Sequence, residues 1–217
     1  MRIHDISQPL GTRTATWPGD RAVELSWTMR QDAGDSVNVA ALTMSVHAGT
    51  HIDAFLHVMR EGATAADMPL DAYVGRCIVV DAVGVERVTA DAIDGIDVGR
   101  AQRILFRTRA VIDETQFPKR FAHIDVALAR ELAAAGVRLV GTDAPSIDPQ
   151  DSKTLDAHHA FAAGGVAILE NVVLSHVLPG EYLLVALPLR LAEADGSPVR
   201  AVLLEGVTTE DPGPGPQ

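Results

Sequence analysis

The 217 residues carry 47% hydrophobic and 22% charged side chains, which is the balance of a soluble globular chain. A net charge of −11 argues against nucleic acid and against an anionic membrane surface, because both need clustered Lys and Arg. The length fits a single domain that buries roughly 70% of its unfolded surface, so no metal is needed merely to fold.

The N-terminal segment, Met1-Arg-Ile-His-Asp-Ile6, lacks the apolar core of a signal peptide. No 18-residue apolar stretch suggests a membrane span, and a cytoplasmic location is expected. Strands are predicted at Val37–Val46, Cys77–Val83, Arg103–Thr108, Val137–Thr142, Val166–Glu170, Tyr182–Leu187 and Val199–Leu204, where short runs are apolar and β-branched. A short helix is predicted at Thr89–Ile93, with Thr89 as its cap. A longer one is predicted over Ile124–Ala135, entered from Ala122-His123 and stopped by Gly136. Strands that outnumber helices without a strict βαβ repeat predict an α/β domain with a mixed, barrel-like sheet and outer helices. That domain is expected to span residues 1–210. The tail Asp211-Pro-Gly-Pro-Gly-Pro-Gln217 can form neither ladder nor helix and is expected to be disordered. Cys77 is the only cysteine, which rules out an internal disulfide and any Cys–Cys metal motif.

The densest chemistry lies in His47-Ala-Gly-Thr-His51-Ile-Asp53-Ala-Phe-Leu-His57. Imidazole and carboxylate are the usual ligands of zinc and its neighbours. On a helix, Asp53 would sit about 200° from His51, at ~100° per residue, and could not share its ion. In an extended chain, 47, 51, 53 and 57 share a face. The cluster is therefore expected on a strand end running into a loop, with Gly49 supplying a sharp turn. It is not the helical zinc-protease signature, which needs Glu where Ala48 stands. Downstream, Asp156-Ala-His158-His159 and the strand-ending Glu170 could complete a second metal site with Asp53. Two ions close together suit bridging carboxylates and hydrolysis.

These segments resemble the bacterial kynurenine formamidase family, within the wider cyclase-like metal hydrolases. The family pattern His-x-Gly-(Thr/Ala)-His-x-Asp-x-Pro-x-His matches His47–His57. Further likeness lies in Trp17-Pro-Gly-Asp20, Gly141-Thr-Asp-Ala-Pro-Ser-Ile-Asp-Pro149, Lys153-Thr-Leu-Asp-Ala-His158 and Ala167-Ile-Leu-Glu170. The resemblance runs from Ile6 to about Leu203. It implies a cyclase-like, swivelling β/β/α fold. It implies His47, His51 and Asp53 as ligands of one zinc, and Asp53, His158 and Glu170 around a second, with Mn2+ or Co2+ as other occupants. It implies His57 in proton transfer and Trp17 against the substrate. The implied reaction is hydrolysis of N-formyl-L-kynurenine to L-kynurenine and formate by a homodimer, with metal-activated water attacking the formyl carbon. His57 could instead be a further ligand. Phe55 stands where the family has Pro, which is expected to loosen the loop and reshape the pocket. The alternatives are an isatin hydrolase-like amide hydrolase and a non-enzymatic metal-binding protein. A serine hydrolase is disfavoured because no Gly-x-Ser-x-Gly elbow occurs.

Overall fold

A computed structural model describes residues 1–207; the tail at 211–217 lies outside them. In chain order the strands are β1 (Arg2–Asp5), β2 (Glu24–Met29), β3 (Val39–Thr43), β4 (His51–Asp53), β5 (Val74–Asp81), β6 (Arg87–Val88), β7 (Arg103–Arg107), β8 (His123–Ile124), β9 (Leu139–Thr142), β10 (Ala167–Glu170), β11 (Gly180–Val185), β12 (Gly196–Pro198) and β13 (Val202–Glu205). The helices are α1 (Val98–Ala101), α2 (Val126–Ala134) and α3 (Asp156–Ala163). The main sheet has the order β1-β13-β11-β5-β7-β9-β10-β4-β12 and curls into a half-barrel within a single α/β domain. Its centre, β5-β7-β9-β10, is parallel, and its flanks are antiparallel.

Both faces of the central strands are buried, and their side chains divide by strict alternation. Ile104, Phe106, Val140 and Ile168 face one core with Leu128 and Leu132 of α2 and Phe161 of α3. Leu105, Leu139 and Leu169 face the other, inside the curl, with Ile52, Leu184 and Leu203. Strand β4 obeys the same rule. Ile52 points into the curl, so His51 and Asp53 must point to the helical side, where α3 lies. Phe161 is fully buried and seats α3 on that side. Phe161→Ala should therefore cost ~3–5 kcal/mol of stability, read from the urea midpoint, and should weaken whatever α3 presents to the site.

Several expectations need correction. The run predicted at Val37–Val46 is extended only over Val39–Thr43. That strand belongs to the separate β2–β3 hairpin, and a turn at 45–50 carries His47. The chain from His47 to His57 is therefore turn, strand and then a 3-10 turn at Phe55–His57, and only His51 and Asp53 share a face by strand parity. Helix α2 begins at Asp125, whose side chain caps Ala127 N–H, and not at Ala122-His123. Thr89 precedes a 3-10 turn, Ala90–Ile93, without a side-chain cap bond. The polar stretch holding His158 is a helix, because Asp148 supplies the acceptor for its first N–H groups. No helix among the described residues is long and apolar enough to cross a membrane.

Candidate metal centre

The site forms where β4, β10 and α3 meet. Glu170 ends β10 and pairs in register with His51, while Ile168 pairs with Asp53. Residues directly opposite in an antiparallel pair point to the same side. Glu170, His51 and Asp53 are thus brought together by the ladder itself. The site backbone is held in sparsely populated conformations: Leu155 (φ 47°), just before α3, and Asn171 (φ 56°), just after β10, are both left-handed. Such strain persists where surrounding structure over-determines it, and it collects at functional sites.

The side chains converge closely. His47 Nδ1 lies 3.0 Å from Asp53 Oδ1, and His51 Nε2 lies 3.5 Å from the same oxygen. His51 Nε2 is also 3.5 Å from Glu170 Oε2. His158 Nε2 lies 3.4 Å from Asp53 Oδ2 and 3.4 Å from Glu170 Oε1. One Asp53 oxygen therefore faces His47 and His51, and the other faces His158. Asp53 is almost wholly buried, and neither of its oxygens has a hydrogen-bond donor.

The reason lies on the far side of each ring. His51 Nδ1 donates to the Gly49 carbonyl at 2.8 Å. That carbonyl is aimed by a left-handed turn (φ +65°) where a Cβ would lie 2.6 Å from Leu10. His158 Nδ1 faces Asp148 Oδ2 at 2.6 Å. His47 Nε2 faces Asp195 Oδ2 at 3.1 Å. When neutral, each imidazole thus spends its N–H outward and turns a lone pair inward. A buried carboxylate faced by three imidazole nitrogens is a site for positive charge, supplied by a cation or by protons on the rings. The donor set, imidazole nitrogen and carboxylate oxygen, fits a divalent metal.

Electrostatics point the same way. Burial acts to raise the Asp53 pKa, but the imidazoles of His158, His47 and His51 hold it well below the ordinary carboxylate value. Burial opposes a charge on His47, yet Asp53 and Asp195 raise it to about 9. His158 is likewise raised well above its ordinary value by Asp148, Asp53 and Glu170, against its burial. The pocket demands positive charge, and protons supply it when metal does not.

His57 comes to the same cavity by the 3-10 turn. Its Nδ1 lies 3.1 Å from Asp195 Oδ2, and its ring centroid is 4.4 Å from that of His47 and 5.8 Å from that of His158. It is near enough to both imidazoles to belong to either metal set. Trp17 lines the cavity too and meets Phe117 and Phe121 edge-on, at 5.3 and 6.3 Å between ring centroids. The cavity holds about 310 Å³, and its lining includes Trp17 and Phe117 together with His47, His51, His57 and His158. Phe55 does not line it. Phe55 packs on the core inside the curl, so its replacement of the expected Pro leaves the cavity wall untouched.

Three carboxylates went unnoticed in the sequence. Asp148 accepts the backbone N–H groups of Ala157 and His158 at 3.1 and 3.0 Å as well as the His158 ring. It caps α3 and fixes the ring in one stroke. Burial would raise its pKa, but His158 and those N–H groups hold it below the ordinary range. Asp195 bridges His47 and His57 from beside β12. Its neighbour Gly196 must be glycine, because a Cβ there would lie 2.8 Å from His47 Cε1 and 2.9 Å from the Ile52 carbonyl. Asp143 is treated below. A signal for Asp148 was present in Ser146-Ile-Asp148-Pro, just ahead of α3, but Asp195 sits in an unremarkable Ala-Asp-Gly turn. Asp148→Asn should lower metal affinity ~10–100-fold by releasing the His158 ring, measured by competition with a chelator. Unchanged affinity would mean the ring is held by packing alone.

The chain is similar to proteins of known kind over most of its length. Residues 4–149 match the Cyclase family model. Kynurenine formamidase of Bacillus cereus is 45% identical over 92% of this chain and 95% of that protein. Kynurenine formamidase of Salinibacter ruber is 45% identical over 94% and 97%. Among solved structures, one described as a potential metal-dependent hydrolase with cyclase activity superposes with a TM-score of 0.81 at 30% identity, covering 93% of this chain and 96% of that one. Isatin hydrolase A from Ralstonia solanacearum superposes with a TM-score of 0.79 at 21% identity, covering 94% and 92%, and shares the fold.

Proposed function

The chain belongs to the cyclase family, on its kynurenine formamidase branch, and we propose that it hydrolyses N-formyl-L-kynurenine to L-kynurenine and formate at a centre of two zinc ions. The observation that carries the metal reading is the donor-less, buried carboxylate of Asp53 with three imidazole nitrogens turned toward it. The substrate reading is carried by 45% identity to kynurenine formamidases along nearly the whole chain. His47, His51 and Asp53 would hold one ion. Asp53, His158 and Glu170 would hold the other. Mn2+ and Co2+ accept the same donors.

A divalent metal bound there supplies a Lewis acid and brings the pKa of a coordinated water to ~7. The protein's own contribution begins with the aromatic wall: Trp17 and its partners Phe117 and Phe121 give the aryl ring of the substrate a surface to stack on. Stacking there turns the formyl group toward the histidines. An aryl nitrogen is a poor leaving group until it takes a proton. His57 is the group placed to deliver that proton, and Asp195 fixes its ring.

The test is metal analysis of the purified protein beside assays with N-formyl-L-kynurenine and isatin. About two metal ions per chain are expected. Turnover should be lost on chelation and recovered on adding zinc, and the formanilide should react faster than the cyclic amide. Full turnover of a metal-free preparation would sink the metal reading, and a preference for isatin would sink the substrate reading.

We also propose a homodimer. Every residue of β2 and β3 is exposed, and the hairpin displays Leu25, Trp27, Met29, Val39 and Leu42, each 37–52% accessible. An isolated two-stranded ribbon is marginal in water, and an apolar one asks for a partner surface. A second copy of the chain is the partner we assign. Trp27→Asp combined with Leu42→Asp should shift the sedimentation coefficient from dimer to monomer. A wild-type protein that sediments as a monomer at high concentration would end this idea.

A further inference from the structure

The metal centre does not account for Arg109, which lines the same cavity. Its place follows from the sheet. The cavity lies beyond the carboxyl ends of the parallel strands, the usual ligand position in such sheets. Glu170 ends β10, and the chain leaves β7 two residues before Arg109. Strand β9 alone separates β7 from β10. The two strand ends are therefore about twice the interstrand spacing apart, or ~10 Å.

The segment that carries Arg109 is rigidly set. Asp143 follows β9 and is wholly buried. Its carboxylate accepts the Thr108 N–H at 2.9 Å and the Arg109 N–H at 3.0 Å, and the Thr108 hydroxyl adds a further bond. This clamp uses the backbone of Arg109 and not its guanidinium. Among the described residues, the guanidinium makes one long side-chain bond, from Nη1 to the Asp143 carbonyl at 3.4 Å. Burial pulls its pKa down, against the pull of Asp143, Glu114 and Asp113, but an arginine stays charged at neutral pH. A half-buried cation with spare donors, held at a ligand cavity by its backbone, is equipped to bind an anion from that cavity. Asp113 and Glu114 line the same rim. They would offset a simple anion but suit a group that carries an ammonium beside its carboxylate.

We propose that Arg109 is the specificity residue that binds the α-carboxylate of an amino-acid substrate, with the Asp113–Glu114 rim facing the α-ammonium. This rests on the formylkynurenine reading above. The distance between strand ends is comparable to the extended length of that substrate from formyl carbon to carboxylate.

The experiment compares N-formyl-L-kynurenine with N-(2-acetylphenyl)formamide, which keeps the formanilide and the ketone but has no amino acid. In Arg109→Gln the ratio of the two kcat/KM values should fall ~10–100-fold, the worth of a charge-assisted hydrogen bond. The fall should come through KM for formylkynurenine, with Arg109→Lys recovering part of it. L-Kynurenine binding to the zinc-loaded protein, followed by calorimetry, should weaken by a similar factor, while 2-aminoacetophenone binding should not. Equal losses on both substrates, or unchanged L-kynurenine affinity, would overturn the assignment. Failure of the wild-type protein to cleave either formanilide would sink the parent reading instead, and the L-kynurenine titration would still decide Arg109.

Discussion

His51→Ala should leave a folded protein without bound metal and with kcat/KM reduced by ~10³-fold or more, since several kcal/mol of charge stabilisation go with the metal. The size of the effect follows from where the ring sits. His51 is 2% exposed, and its Nε2 is equidistant, at 3.5 Å, from an oxygen of Asp53 and an oxygen of Glu170. Removing it takes one of three proposed ligands from the first ion and a neighbour from both carboxylates of the second. Asp53 and Glu170 would remain buried with one fewer group to answer their charge, so the fold should lose some stability as well. Metal content by mass spectrometry and turnover by absorbance read the two effects separately. Full turnover in this variant after chelation would leave the metal mechanism without support.

His57→Ala should behave differently: metal retained, KM little changed and kcat down by ~10²–10⁴-fold, the usual worth of general acid–base help. The contrast rests on how the two rings are held. His51 is locked between a backbone carbonyl and two buried carboxylates. His57 is half-buried on a 3-10 turn, and its Nδ1 meets the Asp195 carboxylate at 3.1 Å. A ring tethered on one side and open to the cavity on the other is suited to carry a proton. The alternative, His57 as a further ligand, has its own signature, because metal content would then fall in parallel with kcat.

Much of this site was legible in the sequence, for a definable reason. Spacing in the segment from His47 to His57 sets metal-binding residue types a few positions apart, within reach of one ion on an extended or turning path but not on a helix. The same holds for the fold class, since short apolar runs buried on both sides announce central strands whatever their partners. Details failed where the sequence carried two meanings. The apolar run before His47 reads as a continuous strand, but it ends at Thr43 and folds away as a hairpin with its side chains in solvent. Asp156–Ala163 looks like a polar loop, because its helix has a short buried stripe and takes its cap from Asp148, outside the helix.

Asp195 was beyond sequence reasoning altogether. Residues 53, 158, 170 and 195 meet because β10 lies antiparallel to β4, β4 to β12, and α3 packs beneath them. No local pattern encodes that order of strands. By itself the sequence determined which residue types could bind metal and roughly where the strands fall, since both depend on neighbours a few positions away. Only the tertiary structure decided that Asp195 would tie His47 to His57 and that Arg109 would line the cavity they share. Those are contacts between strand ends far apart in the chain, and burial of the sheet on both faces is what forces them together.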